Sequence, residues 1–170
     1  YGWSGTATPS KSGYEFTPSL RSYSDVTEPM ANEDYTATLA GVDLTVTSVA
    51  GQDAESGGTI NISFSNLNQG TVHSPEEWRV RYYLATNPDL SGEEYDLGER
   101  IHSFAGGLPP GVPVGSSPTL NIPGTVLPGE YHVLVFIDSD NSIEETNENN
   151  NIAASTTTYT ISNQVTSLSG

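Results

Sequence analysis

YHVLVFIDSDNSIEETNENNNI, residues 131–152, joins the densest apolar run of the chain to its most oxygen-rich loop. Its first seven residues are aromatic, β-branched or leucine apart from His132, which is the composition of a strand buried in a sheet. The next fifteen hold five carboxylates and five asparagines. A buried strand that delivers such a loop predicts a β-domain with a polar hairpin at one end.

Working outward, the same strand grammar recurs. Residues 59–67 alternate, with Ile60, Ile62 and Phe64 on one face and Asn61, Ser63 and Ser65 on the other, which predicts a half-buried strand. Residues 77–86 do likewise, placing Trp78, Val80, Tyr82 and Leu84 on a core face and Arg79, Arg81, Tyr83 and Ala85 opposite. Further strands are predicted at 42–49, 97–104, 118–122 and 152–161. The Gly/Pro-rich crossing AGGLPPGVPVGSS is excluded from a central strand by its prolines and reads as a loop or a broken edge. Seven strands at this spacing predict an all-β, immunoglobulin/fibronectin-like β-sandwich. Additional short N-terminal strands are predicted at 3–8, 14–16, 21–26 and 34–39, separated by turn residues.

Composition narrows the partners. Five Lys and Arg against 21 Asp and Glu leave a net charge of −16 over 170 residues, which repels a phosphate backbone or an anionic membrane and favours cations. The length suits one domain plus a smaller companion, since single domains run to roughly 100–200 residues. There is no cysteine, so neither a disulfide nor a thiolate metal site can reinforce the fold. No stretch approaches the roughly 20 apolar residues of a membrane helix, and no signal peptide opens at Tyr1, so mature or excised material is expected.

Two stretches resemble known modules. In residues 1–40, the phrase from Gly2 to Thr38 resembles the second half of a bacterial Ig-like repeat related to the carboxypeptidase regulatory-like domains, with Glu28 to Ala31 the loosest part. The first half of that repeat is missing, so a remnant with open strand edges is expected, in need of a neighbour to pack on. From about 42 to 160, the order WRVRYYLATNPDLSGEEYDLG, a GLPPG crossing, then LNIPGTVLPGEYHVLVFIDSDNSIEETNENNN resembles the CARDB family, the cell-adhesion-related domain found in bacteria. Its most specific part is the ending: Pro128, Gly129 and Tyr131, an apolar strand, Asp138, then Glu145, Glu148, Asn150 and Asn151. The resemblance implies an Ig-like accessory module of secreted or surface proteins. The expected organisation is therefore a repeat remnant at 1–40, a CARDB-like sandwich at 41–162 and a tail or linker at 163–170.

The hairpin itself poses a chemical question. Hard divalent cations take six to eight oxygens at roughly 2.3–2.6 Å, and converging carboxylates repel one another unless a cation lies between them. DSDNSIEE opens like an EF-hand loop but departs from one: the sixth position, which needs Gly, is Ile143, and the twelfth, which needs Glu, is Asn149. Ile143 is instead expected to tuck toward the sandwich while its neighbours point outward. The candidate ligands for a structural calcium are Asp138, Asp140, Glu145, Glu148 and Asn150. The plain alternative is a turn whose Asp and Asn side chains bond their own backbone. A second acidic group, Asp89, Glu93, Glu94 and Asp96, reads as a solvated hairpin tip.

Nothing points to catalysis. His73, His102 and His132 have no metal-ligand spacing, and there is no G-x-S-x-G, P-loop or G-x-G-x-x-G. A candidate contact surface does emerge: with the core faces assigned as above, Arg79, Arg81, Tyr83, His132, Leu134 and Phe136 share the outer face of two neighbouring strands. Leu134 and Phe136 there predict a cover, from the N-terminal strands, another domain or a second copy; the alternative is a ligand platform on which Tyr83, Phe136 and Trp3 stack on sugar rings while Arg79 or Arg81 meets acidic groups. The expected role is a non-catalytic, secreted or cell-surface accessory module, structural or adhesive. Its expected partners are neighbouring domains of the parent chain, a cell-surface protein or a polysaccharide, with dimerisation through exposed strands as a further option. The alternatives are a carbohydrate-binding module appended to a polysaccharide-degrading enzyme, and a secretion or anchoring segment.

Overall fold

The structure is a computed structural model that describes residues 2–164. Most of the expected C-terminal tail, 165–170, lies outside the described residues. The chain divides into two compact units, Tyr1–Gly41 and Val42–Gly170.

The N-terminal unit consists of two antiparallel pairs. Strand β1 (Trp3–Ala7) pairs with β3 (Arg21–Val26), and β2 (Tyr14–Thr17) pairs with β4 (Thr36–Leu39). Trp3 packs on Tyr23 with ring centroids 5.4 Å apart, and the Tyr23 hydroxyl donates to Glu33 at 2.6 Å. None of its described side chains is fully buried, so its half-buried faces form a layer rather than a core.

The larger unit is built from β5 (Leu44–Ala50), β6 (Ala54–Glu55), β7 (Thr59–Asn61), β8 (Ser63–Asn68), β9 (Glu77–Ala85), β10 (Glu94–Ser103), β11 (Val114–Ser116), β12 (Thr119–Asn121), β13 (Gly129–Ile137), β14 (Ile152–Ala154) and β15 (Tyr159–Ser162). One sheet runs β10-β9-β13-β15-β6, with β14 also on β13. Facing it are the ladders β11-β8-β5 and β12-β7. The described residues contain no helix. This is an immunoglobulin-like β-sandwich, and period-two alternation fills it: Ile60, Ile62 and Phe64 from one side meet Trp78, Val80, Tyr82, Leu84, Val133, Val135 and Ile137 from the other, all buried.

Several strands differ from the sequence reading, each for a hydrogen-bonding reason. The strand expected at 59–67 breaks at Ile62, whose N–H turns to the Pro118 carbonyl at 3.0 Å, so β7 and β8 pair with different partners. The strand expected at 152–161 breaks where Ser155 is drawn onto β13: the Val133 N–H donates to the Ser155 hydroxyl at 3.1 Å, and the Ser155 N–H to the Val133 carbonyl at 2.8 Å. The Gly/Pro crossing contributes β11, a short strand on the edge of β8. Beyond Phe64 the inward-facing positions of β8 are polar, Asn66 and Asn68, both buried. Asn68 is saturated, donating to the Val72 and Leu108 carbonyls at 2.8 and 2.9 Å and accepting from the Gly70 and Asp43 N–H groups. A buried amide with all its partners can fasten three loops, its hydrogen bonds offsetting the cost of desolvation.

On the outer face of β9 and β13, where Leu134 and Phe136 are expected to need a cover, Leu134 is 0% exposed and Phe136 is half-buried. Strand β13 is central, so Leu134 is flanked across the ladder by Tyr83 and Ala154, and along its own strand by His132 and Phe136.

Candidate metal centre

Strand β13 ends in the core at Ile137, and Asp138 follows with φ of +48°, a conformation Asp tolerates better than most residues. The Asn141 N–H returns to the Asp138 carbonyl at 2.9 Å, and Asn141 also takes positive φ, so the chain reverses tightly. That reversal drops Ile143 into the sandwich core at 7% exposure. Its burial draws the acidic arm 144–148 back over the end of the sandwich rather than letting it splay.

Three carboxylates converge as a result. Oxygen atoms of Asp138, Glu145 and Glu148 lie within 4.8 Å of one another. Asp138 is 1% exposed; its Oδ1 accepts from the Ser142 N–H and hydroxyl at 3.2 and 3.3 Å and its Oδ2 from the Ile143 N–H at 3.1 Å. Glu145 accepts from the Leu44 N–H through Oε2 and from the Asn151 amide through Oε1 at 2.6 Å. Glu148 is exposed and accepts the Glu145 N–H at 2.8 Å.

The electrostatics are those of crowded acids. Burial pushes Asp138 above the usual carboxylate range against the opposing pull of the Ile143 and Ser142 N–H groups, and the Asp140 charge adds to the rise. Glu145 is pushed up to about 7, first by burial and then by the charges of Asp138 and Glu148, despite the donors from Leu44 and Asn151. Beside them, Asn151 is 4% exposed and directs its amide at Glu145, yet its Oδ1 has no partner; the buried Oδ1 of Asn150 has none either. Orphaned buried acceptors next to crowded carboxylates are what a hard cation would satisfy. Oxygens within 4.8 Å can share one ion at roughly 2.4 Å each. The residues present therefore fit an oxygen-ligated divalent ion.

Other candidates from the sequence go elsewhere. Asp140 turns away from the three acids to pair with Arg79, Oδ2 to Nε 3.0 Å. A guanidinium already fixed on β9 outcompetes a site that Asp140 would have to reach across the turn. Asn150 uses its amide on Asp43 at 2.7 Å and its carbonyl on the Thr45 hydroxyl at 2.9 Å, leaving only Oδ1 to offer. On the outer face, Arg79 also binds Glu99 at 2.6 Å, Arg81 binds Asp96 at 3.2 Å, and His132 Nδ1 lies 2.9 Å from the Ser155 carbonyl. These charged and polar groups of the outer face thus engage groups of this chain, and Leu134 between them is fully buried.

Asn151 went unread as a ligand, although it stands in the E-x-x-E-x-N-N phrase. Asp43 and Leu44 N–H carried no local signal, lying 101 residues from Glu145 in the case of Leu44. The acids at Asp89, Glu93, Glu94 and Asp96 do not converge: Asp89 binds Ser91, Glu93 binds the Tyr95 hydroxyl, and Asp96 binds Arg81 and the Gly98 N–H.

Comparison with known proteins gives the same frame. Residues 41–155 match the CARDB family. A crystal structure of a CARDB domain from Pyrococcus furiosus, in complex with di-metal ions, superposes with a TM-score of 0.51 at 23% identity, covering 75% of this chain and 99% of that one. A solution structure of the same archaeal domain gives 0.48 at 22% identity, with 73% and 98% coverage. No curated protein matches the chain significantly.

Proposed function

This chain belongs to the CARDB family, whose domains are non-catalytic, adhesion-related modules, and on that premise we propose that it is an extracellular accessory module whose hairpin 138–151 is stiffened by calcium. The observation that carries the reading is the convergence of Asp138, Glu145 and Glu148 beside the unpartnered, buried Oδ1 of Asn151. The di-metal complex of the archaeal CARDB domain supports a cation in this fold. Weak oxygen sites of about 10⁻⁴ to 10⁻³ M affinity still fill at extracellular calcium levels, which suits a cysteine-free protein on a cell surface or secreted from it. Asp138, Glu145 and Glu148 would hold the ion, with the side-chain oxygens of Asn150 and Asn151 in reserve. The ion would supply charge neutralisation and a fixed point for the hairpin. Its role is structural or adhesive, between neighbouring modules of a longer chain and a surface protein or polysaccharide.

Calorimetric titration and thermal melts test it. Calcium is expected to bind with a single affinity class and to raise the melting temperature, with EDTA reversing the rise. A melt indifferent to both EDTA and millimolar calcium overturns the reading.

A further inference from the structure

The hairpin's acids are tied to the first strand of the sandwich as well as to one another, and Glu145 is the joint. One of its oxygens accepts the Leu44 N–H and the other the Asn151 amide. Glu145 forms a parallel bridge with Val42, and the next residue, Thr146, donates to the Val42 carbonyl through its N–H at 2.8 Å and its hydroxyl at 3.3 Å. Asn150 adds two more ties, to the Thr45 hydroxyl and to the Asp43 carboxylate. Val42 is the first residue of the larger unit, directly after Gly41, the last of the smaller one. Residues 42–45 are therefore held at the start of the sandwich by a loop about a hundred residues later in the chain.

Resting on the reading that this hairpin binds a divalent cation, we propose that the site is a clasp: occupancy, acting through Glu145, decides whether residues 42–45 are fastened where the chain enters the sandwich. The argument turns on which acid can move. Asp138 is fixed by three hydrogen bonds and shut away from water. Glu148 is exposed and Glu145 only half-buried. When nothing neutralises three carboxylates this close, repulsion is relieved by the side that faces solvent, the arm 144–148. Movement of that arm takes Glu145 and Thr146 with it and releases Leu44 and Val42 together. With the charges neutralised, the same residues stay in place and the strand start is pinned. Asn151, buried with its Oδ1 unpartnered, marks the position from which a further oxygen could join the ligand set.

Amide hydrogen exchange on the full chain, in calcium and in EDTA, tests the clasp, with calorimetry on the same samples to report binding. Calcium is expected to slow exchange at least tenfold at 42–46 and 144–151. Exchange at the edge strand Val114–Ser116, which the hairpin does not hold, should stay constant. Glu148→Gln, which keeps an oxygen for the Glu145 N–H, should abolish the response, and Asp89→Asn should retain it. Binding that protects 144–151 but leaves 42–46 unchanged overturns the clasp and leaves the cation site standing. Absence of binding overturns both.

Discussion

The chain carries two acidic hairpins, and they behave in opposite ways. The tip at 87–96 and the loop at 138–151 both follow apolar strands, both are rich in carboxylates, and each contains one large aliphatic residue, Leu90 or Ile143. At the first, Leu90 stays half-exposed, and the acids disperse onto a serine, a tyrosine hydroxyl and an arginine. At the second, Ile143 enters the core, and three acids are drawn together over the start of β5. Acid density is therefore not what makes a site. An apolar anchor that turns the loop inward, and a distant strand whose N–H donates to a carboxylate of the loop, are what separate the two.

The contrast can be attacked at its anchor first. Ile143→Ala should cost about 2–4 kcal/mol in urea unfolding, since it empties a core position, whereas Leu90→Ala should change stability by less than about 1 kcal/mol. Equal losses would mean the anchor is not what distinguishes the loops. Next in size is Glu145→Ala, which strands the Leu44 N–H and the Asn151 amide and should cost about 1–3 kcal/mol; Glu93→Ala should fall within about 0.5 kcal/mol.

Calcium sharpens the comparison further. At free calcium roughly 10 to 100 times Kd, stabilisation of about 1.4–2.7 kcal/mol is expected, read as a rise of several degrees in melting temperature. Asp138→Asn should lose that rise by weakening the ligand set, and Asp96→Asn should keep it. A response that survives in the first and vanishes in the second would transfer the site to the other hairpin.

The smallest effect is a pH trend in EDTA. Folding raises Glu145 from an ordinary 4.5 to about 7, so the folded protein holds that proton more tightly than the unfolded chain. The stability this supplies is complete below about 4.5 and is lost as pH rises through about 7, so the calcium-free melting temperature should fall across that window. Glu145→Gln should flatten the fall. Saturating calcium should flatten it too, because the cation replaces the proton among the three acids. Melts from pH 4 to 8 with and without EDTA would check the sign.

Much of the sandwich was legible because strand faces obey a period of two. Trp78, Val80, Tyr82 and Leu84 could be assigned to the core from alternation alone, and all four are buried. Leu134 lies on the outer face that alternation gives it and is nevertheless buried, because alternation assigns a face and not an environment: on a central strand the outer face can be as dry as the inner one. Asn66 and Asn68 are the converse, holding inward positions that only a count of hydrogen-bond partners justifies. The breaks at Ile62 and Ser155 were equally silent, since each depends on a backbone or hydroxyl partner supplied by another strand.

The sequence by itself determined the fold class, most strand positions and the segment in which a cation would be sought, because these follow from local patterns of apolar and oxygen-bearing side chains. Only the tertiary structure decided which oxygens meet. Asp140 sits two residues from Asp138 yet is taken by Arg79, while Leu44 and Glu145, 101 residues apart, share a hydrogen bond. Side-chain direction in an irregular loop is set by its φ angles and by the distant strands that claim its donors and acceptors. Neither has a period that can be read along the chain.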